Sequence, residues 1–245
     1  KFEEAIEVFD EVVKIDPEFA KAWNMKGVSL LRLKKHDESD EAYTQANMIV
    51  PKNADGWYNK GVALMGLVKY KDAIIAFDKV IEIDPKNAKA WNEKGDSISV
   101  LATMKSSSYE DSLNAYNKAL EIDPEYADAW EGKGNVLYRL KKYDESLEAL
   151  NQALKYDPEN DAAWLKKGHV LTDSGQYEEA VQAYDMAGKY NPKGFYPPYY
   201  RGDVLSNNLG RYKEAIIAYS QAIDIYPEFD DAIKGREEAL KKLNS

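Results

Sequence analysis

The side chains that could catalyse a reaction or bind a metal are few, and none has a known catalytic spacing. The chain has no cysteine, which excludes disulfides and thiolate–metal sites, and its two histidines, His36 and His169, cannot form a histidine-rich metal site. No glycine-rich phosphate loop, nucleophile elbow or histidine–carboxylate metal motif occurs. We therefore predict that the chain is not an enzyme and uses no cofactor or metal.

The acidic side chains are numerous, but their positions indicate a structural role. Asp and Glu total 43 against 33 Lys and Arg, which gives a net charge of −10. Pairs such as Asp144 and Glu145 fall in the first turn of predicted helices, where carboxylates complement the helix dipole. Because an acidic chain binds a phosphate backbone poorly, we predict no nucleic-acid partner. No apolar run approaches the ~18 residues of a membrane span, so we also predict no membrane partner.

The helices that carry these side chains are predicted most clearly in the segment 130–158. Most of its characteristic residues are three or four positions apart, which places their side chains on one helical face. One step of six residues interrupts this spacing and marks the end of one helix and the start of the next. The pattern predicts one helix over about 127–140 and a second over about 144–157. The unit is therefore a helical hairpin.

The same pattern returns at a fixed distance along the chain. Tryptophans recur at spacings of 34, 34, 39 and 34 residues, each followed by a glycine four residues later, and seven of the nine prolines close the units. A glycine inside a helix costs about 1 kcal/mol relative to alanine, so its recurrence predicts close approach of the paired helix. The tryptophans and glycines are Trp23, Trp57, Trp91, Trp130, Trp164, Gly27, Gly61, Gly95, Gly134, Gly168 and Gly202.

The repeated pattern resembles the tetratricopeptide repeat. Every 34 residues it has a tryptophan, a glycine four residues later, a small residue, an aromatic residue and a closing proline. The resemblance covers nearly all 245 residues. It implies an all-α fold, a right-handed superhelical α-solenoid of stacked helix-turn-helix hairpins. It also implies a concave face lined by the first helix of each repeat.

The sequence departs from the family pattern at the residue before each glycine, where a leucine is usual. One interpretation is that the stem of the basic side chain packs while its charge reaches water. The other is a ladder of cation–π contacts on the tryptophans. The residues at this position are Lys26, Lys60, Lys94, Lys133, Lys167 and Arg201.

We predict a single repeat array. It begins with the second helix of an incomplete repeat and closes with a C-terminal capping helix, with six full repeats between them. The predicted bounds are 1–19 for the incomplete repeat, 20–53, 54–87, 88–126, 127–160, 161–194 and 195–229 for the full repeats, and 230–245 for the cap.

Two repeats contain irregularities. The third has five additional residues within 102–108, read either as a neutral loop or helix extension or as a partner-specific finger. The sixth has no tryptophan, carries four aromatic residues in the segment 195–200, and has one additional residue among 206–209. We expect its first helix to start near Pro198. The aromatic residues are either a recognition surface or a repacking around the missing tryptophan.

The beginning of the sequence carries two further expectations. Because it starts inside a repeat, Phe2, Ile6 and Phe9 would be partly uncovered, and we predict association of this end with another molecule such as a second copy of the chain. For the same reason an upstream targeting segment would not be visible. With no signal peptide in the sequence, we expect a soluble cytoplasmic protein.

As the resemblance implies, function lies on the face of the first helices, at positions one, five, eight and nine residues after each tryptophan. An apolar entrance there grades into a polar middle with asparagines, which can donate to and accept from a peptide backbone. The alternative is a merely solvated face. The candidate residues of a peptide-binding groove are Asn24, Val28, Tyr58, Val62, Met65, Asn92, Asp96, Asn135, Tyr138, Arg139, His169, Tyr199 and Asp203.

One specialisation of the family can be compared residue by residue. Chaperone adaptors grip a C-terminal carboxylate tail through lysines and asparagines on three consecutive repeats. The corresponding positions here are Asn24, Val28, Asn59, Lys89 and Glu93, of which only Asn59 and Lys89 match. We therefore do not expect carboxylate-tail recognition.

Two functions remain open at this point. The first is a non-enzymatic scaffold or adaptor that binds a protein or an extended peptide in the concave groove. The second is a structural module that self-associates through the ends of the array or its convex face.

Overall fold

The structure, a computed structural model, describes residues 1–104 and 108–244 of the chain. Within these residues the chain forms fourteen α-helices and one π-helical turn, and no strand. The helices divide into two compact units, Lys1–Pro124 and Glu125–Ser245. The predicted all-α class and the stacking of helical hairpins are confirmed.

The first unit contains seven helices, in which α2 packs against α3, α4 against α5 and α6 against α7. We call α2, α4 and α6 the first helices of these hairpins. Each first helix also contacts the next one, α2 with α4 and α4 with α6. The bounds are α1 Phe2–Ile15, α2 Ala20–Arg32, α3 His36–Met48, α4 Ala54–Gly66, α5 Tyr70–Ile83, α6 Ala88–Thr103 and α7 Tyr109–Ile122.

The second unit repeats this arrangement, with α8, α10 and α12 as the first helices and α9, α11 and α13 as their partners. The last helix, α14, packs against α13. The bounds are α8 Ala127–Arg139, α9 Tyr143–Tyr156, α10 Asp161–Asp173, α11 Tyr177–Tyr190, α12 Tyr196–Asp203, the π-helical turn Val204–Asn208, α13 Tyr212–Ile225 and α14 Asp230–Leu243.

The hairpins close through the periodic small and large residues. On α5, for example, the core stripe consists of Ala73, Ala76, Phe77 and Val80, all at most 2% exposed. The predicted close approach at the glycines is found, since a Cβ atom at Gly61 would lie 2.5 Å from the ring of Phe77. The glycines are therefore required by packing.

A serine of the second helix secures three hairpins at this contact. Its hydroxyl donates to the carbonyl oxygen of the glycine at 2.8 Å. The pairs are Ser39 with Gly27, Ser112 with Gly95 and Ser146 with Gly134.

The sixth hairpin differs from the expectation at its start. Helix α12 begins at Tyr196, two residues before the predicted Pro198. Both Pro197 and Pro198 fit into its first turn because the N–H groups there have no intrahelical partner. The π-helical turn then takes up the one additional residue, with the Leu209 amide bonded to the Val204 carbonyl oxygen at 3.1 Å.

The third hairpin differs in the length of its first helix. Helix α6 has 16 residues against 13 in α2, α4, α8 and α10, so part of the segment 102–108 extends the helix. The remaining predicted insertion includes residues 105–107, which lie outside the described residues.

A candidate binding face on the first helices

The candidate groove residues all lie on first helices, at positions that share one side of each helix. We call this surface the first-helix face. In the first unit it comprises Asn24, Val28, Tyr58, Val62, Met65, Asn92 and Asp96, and in the second Asn135, Tyr138, Arg139, His169, Tyr199 and Asp203.

Hydrogen bonds join neighbouring first helices across this face in the first unit. The Asn24 side-chain amide on α2 donates to the backbone oxygen of Asn59 on α4 at 2.8 Å. The Tyr58 hydroxyl on α4 donates to Glu93 on α6 at 3.3 Å. These two contacts link α2 to α4 and α4 to α6 through the candidate residues Asn24 and Tyr58.

A contact of the same spacing occurs in the second unit. The Tyr138 hydroxyl on α8 donates to Asp173 on α10 at 2.7 Å, 35 residues further along the chain. Arg139 beside it is exposed. Burial and the Asp173 carboxylate together raise the pKa of Tyr138 to about 12, so this hydroxyl stays a donor at neutral pH.

Three candidate residues instead bond to the second helix of their own hairpin. Each occupies the position five residues after the tryptophan, or after the place where the tryptophan is missing. The pairs are Asp96 with Tyr116 at 2.6 Å, His169 with Tyr184 at 3.0 Å and Asp203 with Tyr219 at 2.7 Å. Sequence reasoning missed these tyrosine partners, although the aromatic residue of the second helix is visible in the repeat pattern.

Three asparagines of the face have a buried amide oxygen without a hydrogen-bond partner among the described residues. Asn24 and Asn92 are each only 3% exposed, and Asn135 is half-buried. A buried acceptor without a partner costs about 1–3 kcal/mol. The first-helix face therefore contains buried acceptors that are not used within the described residues.

Burial also shifts the charges in the second unit. Together with the positive charge of Lys166, it lowers the pKa of His169 from 6.5 to about 4, so this histidine is neutral at pH 7. Burial raises the pKa of Glu131, against a hydrogen bond from Asn160 at 2.9 Å. It also raises the pKa of Asp203.

The basic residue before each glycine shows features of both predicted arrangements, the packed stem and the cation–π contact. Its ammonium lies 5.0–5.4 Å from the tryptophan ring centroid in four hairpins. Lys26 and Lys94 also bond to Asp10 and Asp78 of the preceding second helix, and their side chains are only 21% exposed. The stem packs and the charge is held against the ring. The four lysines are Lys26, Lys94, Lys133 and Lys167.

The aromatic segment at 195–200 packs against itself and against the end of α13. Phe195 lies 5.1 Å from Tyr226 and 4.9 Å from Phe229, measured between ring centroids. Tyr199 also lies 4.9 Å from Phe229. These rings form one cluster, in which Tyr196 is the most exposed member of the segment at 47%.

The fold and this face define an α-helical repeat protein built from stacked hairpins. Models of the tetratricopeptide repeat match residues 1–46, 54–87, 137–201 and 201–229, and a model described as TPR repeat matches residues 102–141. The chain belongs to the tetratricopeptide repeat (TPR) family. The resemblance inferred from the sequence is thereby confirmed.

Solved structures show the same fold at low sequence identity. YrrB, described as a TPR protein with an unusual peptide-binding site, is 23% identical with a TM-score of 0.60, over 81% of this chain and 99% of YrrB. PilF of Pseudomonas aeruginosa is 20% identical with a TM-score of 0.65, over 89% of this chain and 97% of its own. The APC/C hetero-tetramer Cut9–Hcn1 is 14% identical with a TM-score of 0.74, over 98% of this chain and 46% of that chain.

Comparison with curated protein sequences gave no match. Among the described residues, every helix is too short or too polar to cross a membrane.

Proposed function

We propose that this chain is a non-enzymatic scaffold that binds an extended peptide or a partner segment on the first-helix face. TPR proteins typically bind proteins or peptides. The observation that carries the proposal is the pair of bonds from Asn24 to Asn59 and from Tyr58 to Glu93. They align the candidate residues of three successive helices, which is the arrangement that an extended ligand requires.

The side chains of this face suit the recognition of a peptide. Val28, Val62 and Met65 are half-buried, and Leu31 is 46% exposed, so apolar side chains of a ligand can be covered there. Asparagine can both donate to and accept from a peptide backbone. The amide oxygens of Asn24 and Asn92 have no hydrogen-bond partner among the described residues and are available as acceptors.

The charge of the face favours a neutral or basic ligand. Asp96 lies on it, Glu93 and Asp173 bond to its Tyr58 and Tyr138, and Glu93 occupies a position where a carboxylate clamp requires a basic residue. A ligand with a free terminal carboxylate would be repelled. We therefore propose an internal segment of a partner protein rather than an acidic C-terminal tail.

A displayed peptide library tests this function. The enriched peptides are titrated against the wild type, the double variant Tyr58→Ala with Asn135→Ala, and the control Ile75→Ala, whose side chain on α5 is 58% exposed. We expect loss of binding only in the double variant. Wild-type affinity in the double variant, or equal loss in the control, would refute the proposal.

Self-association is the second candidate, and exposed apolar side chains on α1 favour it. Phe2 is 45% exposed and Val8 60%, while Ile6 and Phe9 are half-buried. Replacement of Phe2 and Val8 by serine should convert any dimer to monomer in sedimentation equilibrium. A wild type that is monomeric at high concentration would refute this second function.

A further inference from the structure

The tryptophan missing from the sixth hairpin leaves an open cavity. Counting 34 residues on from Trp164 leads to Pro198, and from Lys167 to Arg201. A cavity of about 390 Å³ lies beside Pro198 and Arg201, between α11 and α13. Its volume is within the range of about 300–1,000 Å³ that is usual for small-ligand sites.

The intact hairpins show what occupies this position. The indole N–H of Trp164 donates to the backbone oxygen of Pro158 at 2.9 Å, and the Lys167 ammonium lies 5.0 Å from the ring centroid. Leu154 of the preceding second helix belongs to the same apolar cluster. The bond from the indole to a proline carbonyl is repeated by Trp23 with Pro17 and by Trp91 with Pro85.

The cavity retains the partners of an indole but has lost the two large side chains. Pro192, which is 34 residues after Pro158, lines it, and so does Arg201 in place of the lysine. Gly188 stands 34 residues after Leu154 and also lines it. A Cβ atom at Gly188 would find only the Cβ of Pro197 within 4 Å, at 3.8 Å. Leucine and tryptophan are thus replaced together by residues that leave the space open.

Arg201 is held in place at this cavity. Its guanidinium bonds to Asp185 and, at 3.2 Å, to Gln221. The side chain is 20% exposed, and its buried Nε has no hydrogen-bond partner among the described residues. A fixed, partly buried guanidinium is a suitable platform for an aromatic ring.

The nearby aromatic segment does not fill the cavity. Among the described residues that line the cavity, there is no ring of Phe195, Tyr196, Tyr199 or Tyr200. Pro198 and Arg201 lie on the side of α12 opposite to Tyr199 and Asp203 of the first-helix face. Tyr184, whose hydroxyl bonds to His169 of that face, also lines the cavity.

We propose that this cavity binds the indole side chain of a tryptophan carried by a segment of a partner protein. The indole N–H would donate to the carbonyl of Pro192, and the ring would lie on the guanidinium of Arg201. The chain's own tryptophans are the model for this occupant, since the indole N–H of Trp23, Trp91 and Trp164 donates to the equivalent proline carbonyl. The proposal is independent of binding on the first-helix face.

Two-dimensional NMR titration with a short glycine–serine peptide carrying one tryptophan tests this proposal, with the leucine-containing peptide as control. We expect a Kd on the order of 0.1–1 mM for the tryptophan peptide. The largest shifts should fall on Gly188 and Arg201. Equal binding of the leucine peptide, or binding of free indole without binding of the tryptophan peptide, would overturn the proposal.

Two variants refill the cavity with residues that the chain itself uses at this position. Pro198→Trp and Gly188→Leu should each fold, melt at or above the wild-type temperature, and bind the tryptophan peptide roughly tenfold or more weakly. Arg201→Gln should weaken binding roughly 3- to 30-fold through loss of the cation. If one refilling variant fails to fold, binding of the tryptophan peptide by the other variant tests the proposal. Undiminished binding in a folded refilling variant would overturn the proposal.

Discussion

In two hairpins the residue five positions after the tryptophan is matched to the aromatic residue of the second helix. Where this residue is Asp96, it bonds to Tyr116 of the second helix at 2.6 Å. Where it is Val62, the partner is Phe77, which has no hydroxyl to satisfy. These two hairpins show one matched polar pair and one matched apolar pair, and the comparison between them predicts the effect of single and double substitutions.

Tyr116→Phe should lower the free energy of unfolding by about 1–3 kcal/mol, because the Asp96 carboxylate loses one of its donors in a partly buried site. Adding Asp96→Val recreates the pair Val62 and Phe77 and should restore much of the loss. Urea denaturation at pH 7 measures both. An unchanged stability in the single variant would show that the bond contributes nothing.

His169 should make stability depend on pH. Its folded pKa of about 4 lies below the unfolded value of 6.5, so the unfolded chain binds more protons between these values. This contribution is fully present above pH 6.5 and is lost as the pH falls toward 4. Between pH 7 and pH 5 the loss should be about 2 kcal/mol.

The control for this prediction is His169→Gln, which keeps a polar side chain opposite Tyr184 and does not titrate. The unfolding free energy of the variant is subtracted from that of the wild type at each pH. The contribution of the carboxylates cancels because both proteins contain the same carboxylates. A difference that stays constant from pH 7 to pH 5 would contradict the lowered pKa.

At the scale of elements, the glycines set the distance between the helices of a hairpin. Gly61 and Gly188 are both inside helices, but their surroundings are opposite. A Cβ at Gly61 would collide with the Phe77 ring at 2.5 Å, whereas a Cβ at Gly188 would meet only Pro197 at 3.8 Å. The same substitution should therefore have opposite signs at the two sites.

Gly61→Ala should destabilise the protein by about 1–3 kcal/mol through overpacking. Gly188→Ala should stabilise it by up to about 1 kcal/mol, because alanine has the higher helix propensity. Thermal and urea unfolding of the two variants measure the difference. Two changes of the same sign would contradict the packing account.

The sequence predicts the elements well where the repeat is regular. The hairpin expected over 127–140 and 144–157 is found at Ala127–Arg139 and Tyr143–Tyr156, because tryptophan, glycine and proline mark its turns and its contact point. The observed start of α12 at Tyr196 lies two residues before the expected start near Pro198, because a proline pair is compatible with more than one position in a first turn.

The parts that the sequence could not predict depend on contacts between helices. The bond between His169 and Tyr184 spans 15 residues and two helices, and the periodicity of one helix contains no signal for it. The sequence of the aromatic segment at 195–200 is compatible with a recognition surface and with a repacking around the missing tryptophan. That it forms a cluster beside an open cavity follows only from the packing of α11, α12 and α13.

At the scale of the whole molecule, stability in a repeat array is carried by neighbouring contacts. The contacts of α4 in the first unit are with α2, α3, α5 and α6. A destabilised α4 should therefore loosen these helices before it affects those of the second unit.

Native-state hydrogen exchange on Gly61→Ala checks this locality. We expect faster exchange in α4 and α5, a smaller increase in α2 and α6, and little change in α13. Equal acceleration in all helices would show that the chain opens as one cooperative unit.

The most direct test of peptide binding on the first-helix face is photo-crosslinking from benzoylphenylalanine to a library-selected peptide. The probe is placed at Val62 or Tyr138 on the first-helix face and, as matched controls, at Ile75 or Ile217 on second helices, which are 58% and 57% exposed. We predict crosslinks from Val62 or Tyr138 that unlabelled peptide competes away, and none from the controls. Crosslinks confined to Ile75 or Ile217 would contradict binding on the first-helix face.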